Sequence, residues 1–110
     1  MMRLLDLEPQ FLAVEEPGRT YRHVDTIEEA DGVQFLCPKC FKANGGAVGT
    51  HSVQCWSPKV SPTETPGPGR WNLLGTGLHD LTLQAGSSSV LLTSGCRWHG
   101  FVRNGEVTGA

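Results

Sequence analysis

The chain has 110 residues, the size of one small domain that buries roughly two-thirds of its unfolded surface on folding. Nine basic against eleven acidic residues leave a net charge of −2, which excludes a polycationic nucleic-acid coat and offers no electrostatic case for duplex DNA or an anionic membrane. A hydrophobic fraction of 38% argues against disorder, and 14 glycines with 7 prolines, against a usual combined share of about 12%, give a chain rich in turns and poor in long helices.

In chain order, the first nine residues carry acids where a secretory signal needs an apolar core, so a cytoplasmic setting with reduced cysteines is expected. Residues 10–14 form a short apolar run stopped by Glu15-Glu16-Pro17-Gly18, a turn signature. Residues 20–24 alternate like a half-buried strand, which makes a hairpin. Thr26 with Glu29 matches a capping box, and Gly32 can close one or two helical turns over residues 25–32. The run 33–36 is β-branched and aromatic and delivers the chain into Cys37. Asn44-Gly45-Gly46 and Gly49 read as loop, and residues 51–56 as a strand with His51, Val53 and Cys55 on one face. Residues 57–69 hold four prolines and form an exposed Pro/Gly-rich loop inside a single domain spanning residues 1–110. Further strands are expected at residues 70–73, 81–83 and 90–93, and a hairpin turning on Asn104-Gly105 ends the sequence. The expected fold is mainly β, with antiparallel hairpins and one short helix.

Four cysteines, Cys37, Cys40, Cys55 and Cys96, stand beside four histidines. Cys37-Pro38-Lys39-Cys40 and Cys96-Arg97-Trp98-His99 share the two-residue spacing that lets a tight turn present two ligands to one tetrahedral ion. Two such turns, each near a strand end, point to a zinc-ribbon-like site with Cys37, Cys40, Cys96 and His99 as ligands and Zn2+ as the cofactor. His51 and Cys55 compete for the same place: either can replace His99 or line a pocket beside the ion, while Cys55 also suits a core position. A thioredoxin-like redox pair needs a helix directly after Cys37, which Pro38 and the following glycines oppose.

No residue is read as catalytic. A closed shell of three thiolates and one imidazole leaves no position for water. Neither His51 nor His99 opens the His-x-Glu signature of the zinc deaminases, and no His-Glu-x-x-His motif or phosphate-binding glycine loop occurs. Trp56, Trp71 and Trp98 read as core, although Arg70 and Trp71 together would also make a partner contact.

The string Phe35-Leu36-Cys37-Pro38-Lys39-Cys40-Phe41, with Asn44-Gly45-Gly46, Gly49-Thr50-His51, Cys55-Trp56, Pro66-Gly67-Pro68-Gly69-Arg70-Trp71, Gly75-Thr76-Gly77 and Gly95-Cys96-Arg97-Trp98-His99-Gly100-Phe101, resembles a family of small phage and prophage proteins of unknown function. Some of its members carry an "ammonia monooxygenase" name that no residue here supports. The resemblance covers residues 33–107. A more distant likeness, limited to the ligand turns and the last hairpin, is to a zinc-binding domain encoded beside bacterial ubiquitin-like conjugation genes. The resemblance implies a phage-encoded zinc protein acting in the host cytoplasm or the virion. Three functions follow as expectations: a protein-binding accessory factor that modulates a host or defence system, a zinc-dependent hydrolase using His51 beside the metal, or a minor virion structural protein. A protein partner is expected, and neither nucleic acid nor membrane.

Overall fold

The computed structural model describes residues 2–16, 20–58, 70–84, 90–91 and 98–109. The expected loop lies outside them except for Ser57 and Pro58, and so does Cys96. Alternation of apolar and polar residues builds a four-stranded antiparallel sheet in the order β3-β2-β4-β5, from β2 (Gln10–Glu16), β3 (Thr20–Val24), β4 (Gly32–Leu36) and β5 (Ser52–Trp56). Its inner face carries Phe11, Ala13, Val24, Val33, Phe35, Val53 and Cys55, all buried in the main core. Its outer face carries Leu12 and Trp56 in a second, smaller cluster, with Tyr21 leaning on Trp56 at 4.9 Å between ring centroids.

A second antiparallel sheet runs β1-β10-β9-β8, from β1 (Met2–Arg3), β8 (Val90–Leu91), β9 (His99–Arg103) and β10 (Glu106–Gly109). A two-stranded ribbon joins β6 (Asn72–Leu74) to β7 (Thr82–Gln84). Val102, Val107, Leu81 and Leu83, with Leu4 and Leu7 of a short 3-10 turn, complete the core. The radius of gyration, 13.0 Å, is what a single folded domain of this length should have, about 13 Å. Mainly β architecture with antiparallel hairpins is therefore observed, in one small domain.

Two local expectations are corrected. Residues 25–31 form a turn rather than a helix. The capping-box bonds do form, with the Thr26 hydroxyl donating to Glu29 Oε1 at 2.8 Å and the Glu29 N–H donating to Thr26 Oγ1 at 3.4 Å. But Gly32 already opens β4, so the chain leaves after one turn. The α-helix lies instead at α1 (Pro38–Asn44), directly after Cys37. Proline at the first helical position lacks only an N–H that has no intrahelical partner there, and its fixed φ suits a helix start. Gly45 at φ +72° then caps the other end, its N–H donating to the Phe41 carbonyl. This helix does not make a thioredoxin-like unit, because β4 and β5 on its two sides pair antiparallel, whereas that motif needs a parallel crossover.

The Asn104-Gly105 hairpin is present, with φ of +49° and +76°, both left-handed as a two-residue mirror-image turn requires. The turn is also a junction. Gly105 donates to the Leu81 carbonyl at 2.9 Å and accepts from the Leu4 N–H at 2.8 Å, and a Cβ there would run into the carbonyl oxygen of His79. The His79 segment cannot move aside cheaply. Asp80 beside it accepts from the Thr76 and Gly77 N–H groups, each at 2.9 Å, and from the Thr76 hydroxyl at 2.8 Å. Those donors, led by the Thr76 N–H, hold the Asp80 carboxyl down to about 2. Gly105→Ala combines backbone strain with this clash and should cost about 3 kcal/mol. Urea denaturation of the variant checks it, and a loss below about 1 kcal/mol would contradict the junction.

Candidate metal centre

Cys37, Cys40 and His51 come together in the folded chain: one sulfur from each cysteine and an imidazole nitrogen all lie within 4.8 Å of one another. Three local features produce this. Cys37 directly follows β4 and occupies the N-cap position of α1 with extended φ and ψ of −61° and 121°, and its carbonyl accepts from the Phe41 N–H at 2.9 Å. Cys40 follows one helical turn later, so both cysteines face the same side of the helix start. His51 arrives from the other strand. The register Phe35↔Val53 and Leu36↔Ser52 continues one step further, with the Cys37 N–H donating to the His51 carbonyl at 2.8 Å.

The segment between α1 and β5 is tied down so that this register is met. Thr50 donates from its hydroxyl to the Gly46 carbonyl at 2.7 Å and accepts from the Asn44 amide at 3.2 Å. Its N–H donates to the Ala47 carbonyl at 3.0 Å. The loop is thus folded on itself and returns His51 to the end of β4.

The donor chemistry fits a metal ion. In a tetrahedral site with metal–sulfur bonds of about 2.3 Å and metal–nitrogen bonds of about 2.0 Å, neighbouring donor atoms stand about 3.5–3.8 Å apart. Donors within 4.8 Å need only a small closure to meet that. Burial is graded across the group: Cys37 is fully buried, Cys40 half-buried and His51 exposed. The centre therefore has one foot in the core and one at the surface.

Of the residues singled out from sequence, the structure gathers Cys37, Cys40 and His51. Cys96 lies outside the described residues. His99 begins β9 with its side chain exposed and its ring 6.3 Å from that of Phe101; it is not a member of the group found among the described residues. Cys55 is not a member either. It sits four residues beyond His51 on the same strand face, about 13 Å along the strand. Fully buried against Val33 in β4, its thiol is pushed up to about 12 by loss of solvent, which keeps it neutral and makes it a core residue. Trp56 and Trp98 are buried and Trp71 packs half-buried against the main core, with its N–H on the Trp56 carbonyl at 2.9 Å; Arg70 is half-buried beside it.

Comparison with protein-family models, with curated proteins and with solved structures returns no match. No helix among the described residues is long and apolar enough to cross a membrane.

Proposed function

We propose that the protein is a non-enzymatic, zinc-stabilised β-rich module that binds another protein, with the ion held by Cys37, Cys40 and His51 and with Cys96 as fourth ligand. The observation that carries this reading is the convergence of two sulfurs and one imidazole on a point between β4, α1 and β5. A soft, thiolate-rich donor set favours zinc over magnesium or calcium. Sequence spacing supports Cys96: Cys96-Arg97-Trp98-His99 repeats the two-residue ligand spacing of Cys37-Pro38-Lys39-Cys40, and Trp98 packs edge-on against Phe35, with centroids 6.2 Å apart.

The module reading draws on the same chemistry. Thiolate-rich shells with four protein ligands serve stability rather than catalysis, and among the described residues no carboxylate joins the ligand group as a proton shuttle. The role as a phage-encoded accessory factor modulating a host or defence system, in the host cytoplasm, is supported by the sequence resemblance. Its rival as a virion component is decided by whether the chain is present in purified particles.

A second reading, a zinc-dependent hydrolase, is favoured by one feature only, the exposure of His51 at the rim of the centre. Native mass spectrometry separates the two. One zinc per wild-type chain is expected, with loss of the ion in Cys37→Ser, His51→Ala and Cys96→Ser. A Cys96→Ser chain that keeps its zinc as firmly as the wild type would remove the third thiolate from the shell and favour the open, hydrolytic site. A folded wild type without metal would overturn both readings.

A further inference from the structure

The thiols among the described residues fall into two kinds. Cys55 is fully buried opposite Val33 of β4, out of reach of a dissolved oxidant. Cys40 is half-buried in the first turn of α1 and reaches solvent, and the wholly buried Cys37 has its sulfur within 4.8 Å of the Cys40 sulfur. Resting on the zinc-bound reading above, we infer that Cys37 and Cys40 are also an oxidisable dithiol, which a small hydroperoxide converts to a disulfide with release of the zinc.

Three observations support this site. The first is reach. Cys37 holds the N-cap of α1 and Cys40 is its third residue. Positions three apart on a helix stand about 5 Å between Cα atoms, inside the roughly 4.4–6.8 Å window that a disulfide accepts. The Phe41 N–H bond to the Cys37 carbonyl, 2.9 Å long, closes that turn and keeps the pair together, so side-chain rotation alone can bring the sulfurs to bonding distance. The second is graded access. Peroxide meets Cys40 first, and the thiol needed to resolve the product stands behind the same turn. The third is contrast. Loss of solvent keeps Cys55 a neutral thiol, and the thiolate is the nucleophile, whereas metal ligation holds Cys37 and Cys40 as thiolates.

The step balances as follows. The Cys40 thiolate attacks one peroxide oxygen, the O–O bond breaks, and the departing hydroxide takes up a proton and leaves as water. The Cys37 thiolate attacks the sulfur of the resulting sulfenic acid, the S–O bond breaks, and a second hydroxide takes up a proton and leaves as water. Two thiolates, one peroxide and two protons give one disulfide and two waters, the sulfurs losing the two electrons that the peroxide gains. With both sulfurs joined to each other, the proposed shell keeps only His51 and Cys96, too few for a structural zinc. The new bond links residues three apart on one helix start, so it does not replace the tie to His51 across the β4–β5 ladder. Oxidation therefore removes what the metal contributes to the fold.

The test uses the full-length, zinc-loaded chain and one equivalent of hydrogen peroxide, with released zinc read by a metallochromic indicator. Remaining thiols are alkylated and the chain is digested with trypsin. Cleavage after Arg22, Lys39, Lys42, Lys59, Arg70 and Arg97 leaves each cysteine in its own peptide, so every pairing has a distinct mass. One zinc freed per disulfide is expected, with Cys37–Cys40 the dominant cross-link, Cys55 recovered as the alkylated thiol, and metal binding restored by a thiol reductant with added zinc. Retention of the ion under peroxide, zinc loss with a sulfinic acid in place of a cross-link, or a dominant cross-link through Cys55 or Cys96 would each overturn the inference. Zinc content is measured before peroxide is added. A chain that holds one zinc and keeps it under peroxide sinks the oxidation proposal alone, whereas a folded chain that holds none sinks the reading beneath it and this inference together.

Discussion

Stripping the metal with a chelator is expected to unfold the chain, not merely to alter a surface. A domain of this length has a net stability on the order of 5–15 kcal/mol, while structural zinc sites contribute on the order of 10 kcal/mol; one term nearly equals the whole. The candidate ligands are also placed where local structure cannot stand alone. Helix α1 has seven residues, too few to persist in water without tertiary support. Two candidate ligands sit at its start, and the third, His51, lies across the ladder just before β5. Releasing the ion frees α1 and the loop to Thr50, exposes Cys37 and unpairs the end of β4. Loss of far-UV signal and a shift of tryptophan emission should track chelator concentration, with Cys37→Ser reproducing the metal-free state. Lowering the pH should act in the same direction, because thiolates and imidazole must shed protons to bind and regain them as the ion leaves. An unchanged melting curve after stoichiometric metal loss would show that burial alone holds the fold.

Local sequence signals were reliable where a strand or turn depends on neighbours only. The Asn104-Gly105 hairpin, the strand entering Cys37 and the alternation that puts Val53 and Cys55 inward all follow from residues a few positions apart. Pro38 and the glycines read as breakers in the sequence, but proline at the first position and Gly45 after the last are the residues that bound a short helix. The ligand set shows a different limit. Matching turns at Cys37-x-x-Cys40 and Cys96-x-x-His99 made His99 the natural partner, yet the imidazole found beside Cys37 and Cys40 is that of His51. Its position is fixed by the β4–β5 register, in which Cys37 meets His51 across a connection of thirteen intervening residues. Register across so long a connection is set by the buried pairs Val33↔Cys55 and Phe35↔Val53, and no spacing rule records it. Cys55 was assigned by the same alternation to either core or pocket; burial decided for the core.

Replacing Phe35 by alanine is expected to cost about 4 kcal/mol, the range for an aromatic side chain removed from a tight core. Phe35 is 1% exposed, lies opposite Val53 in the β4–β5 ladder and receives the edge of Trp98 at an interplanar angle of 89°. No described neighbour can fill its place cheaply. Cys37 is two residues away, just past the end of β4, and Trp98 directly precedes β9 of the other sheet. The Phe35–Trp98 contact therefore ties the two sheets together at the metal end of the molecule, and its loss should loosen the centre as well as the core. In urea, with a slope of about 2 kcal/mol per molar, the midpoint of the metal-loaded chain should fall by about 2 M. The variant's response to metal removal then separates burial from ligation. If the ion supplies a term comparable to the whole net stability, metal-loaded Phe35→Ala stays folded in dilute buffer, while its metal-free form is unfolded throughout. Should the loaded variant be unfolded as well, the Phe35–Trp98 contact would be a precondition for assembling the metal centre. A drop of less than about 1 kcal/mol would mean that Phe35 is not the wedge between the sheets that its packing indicates.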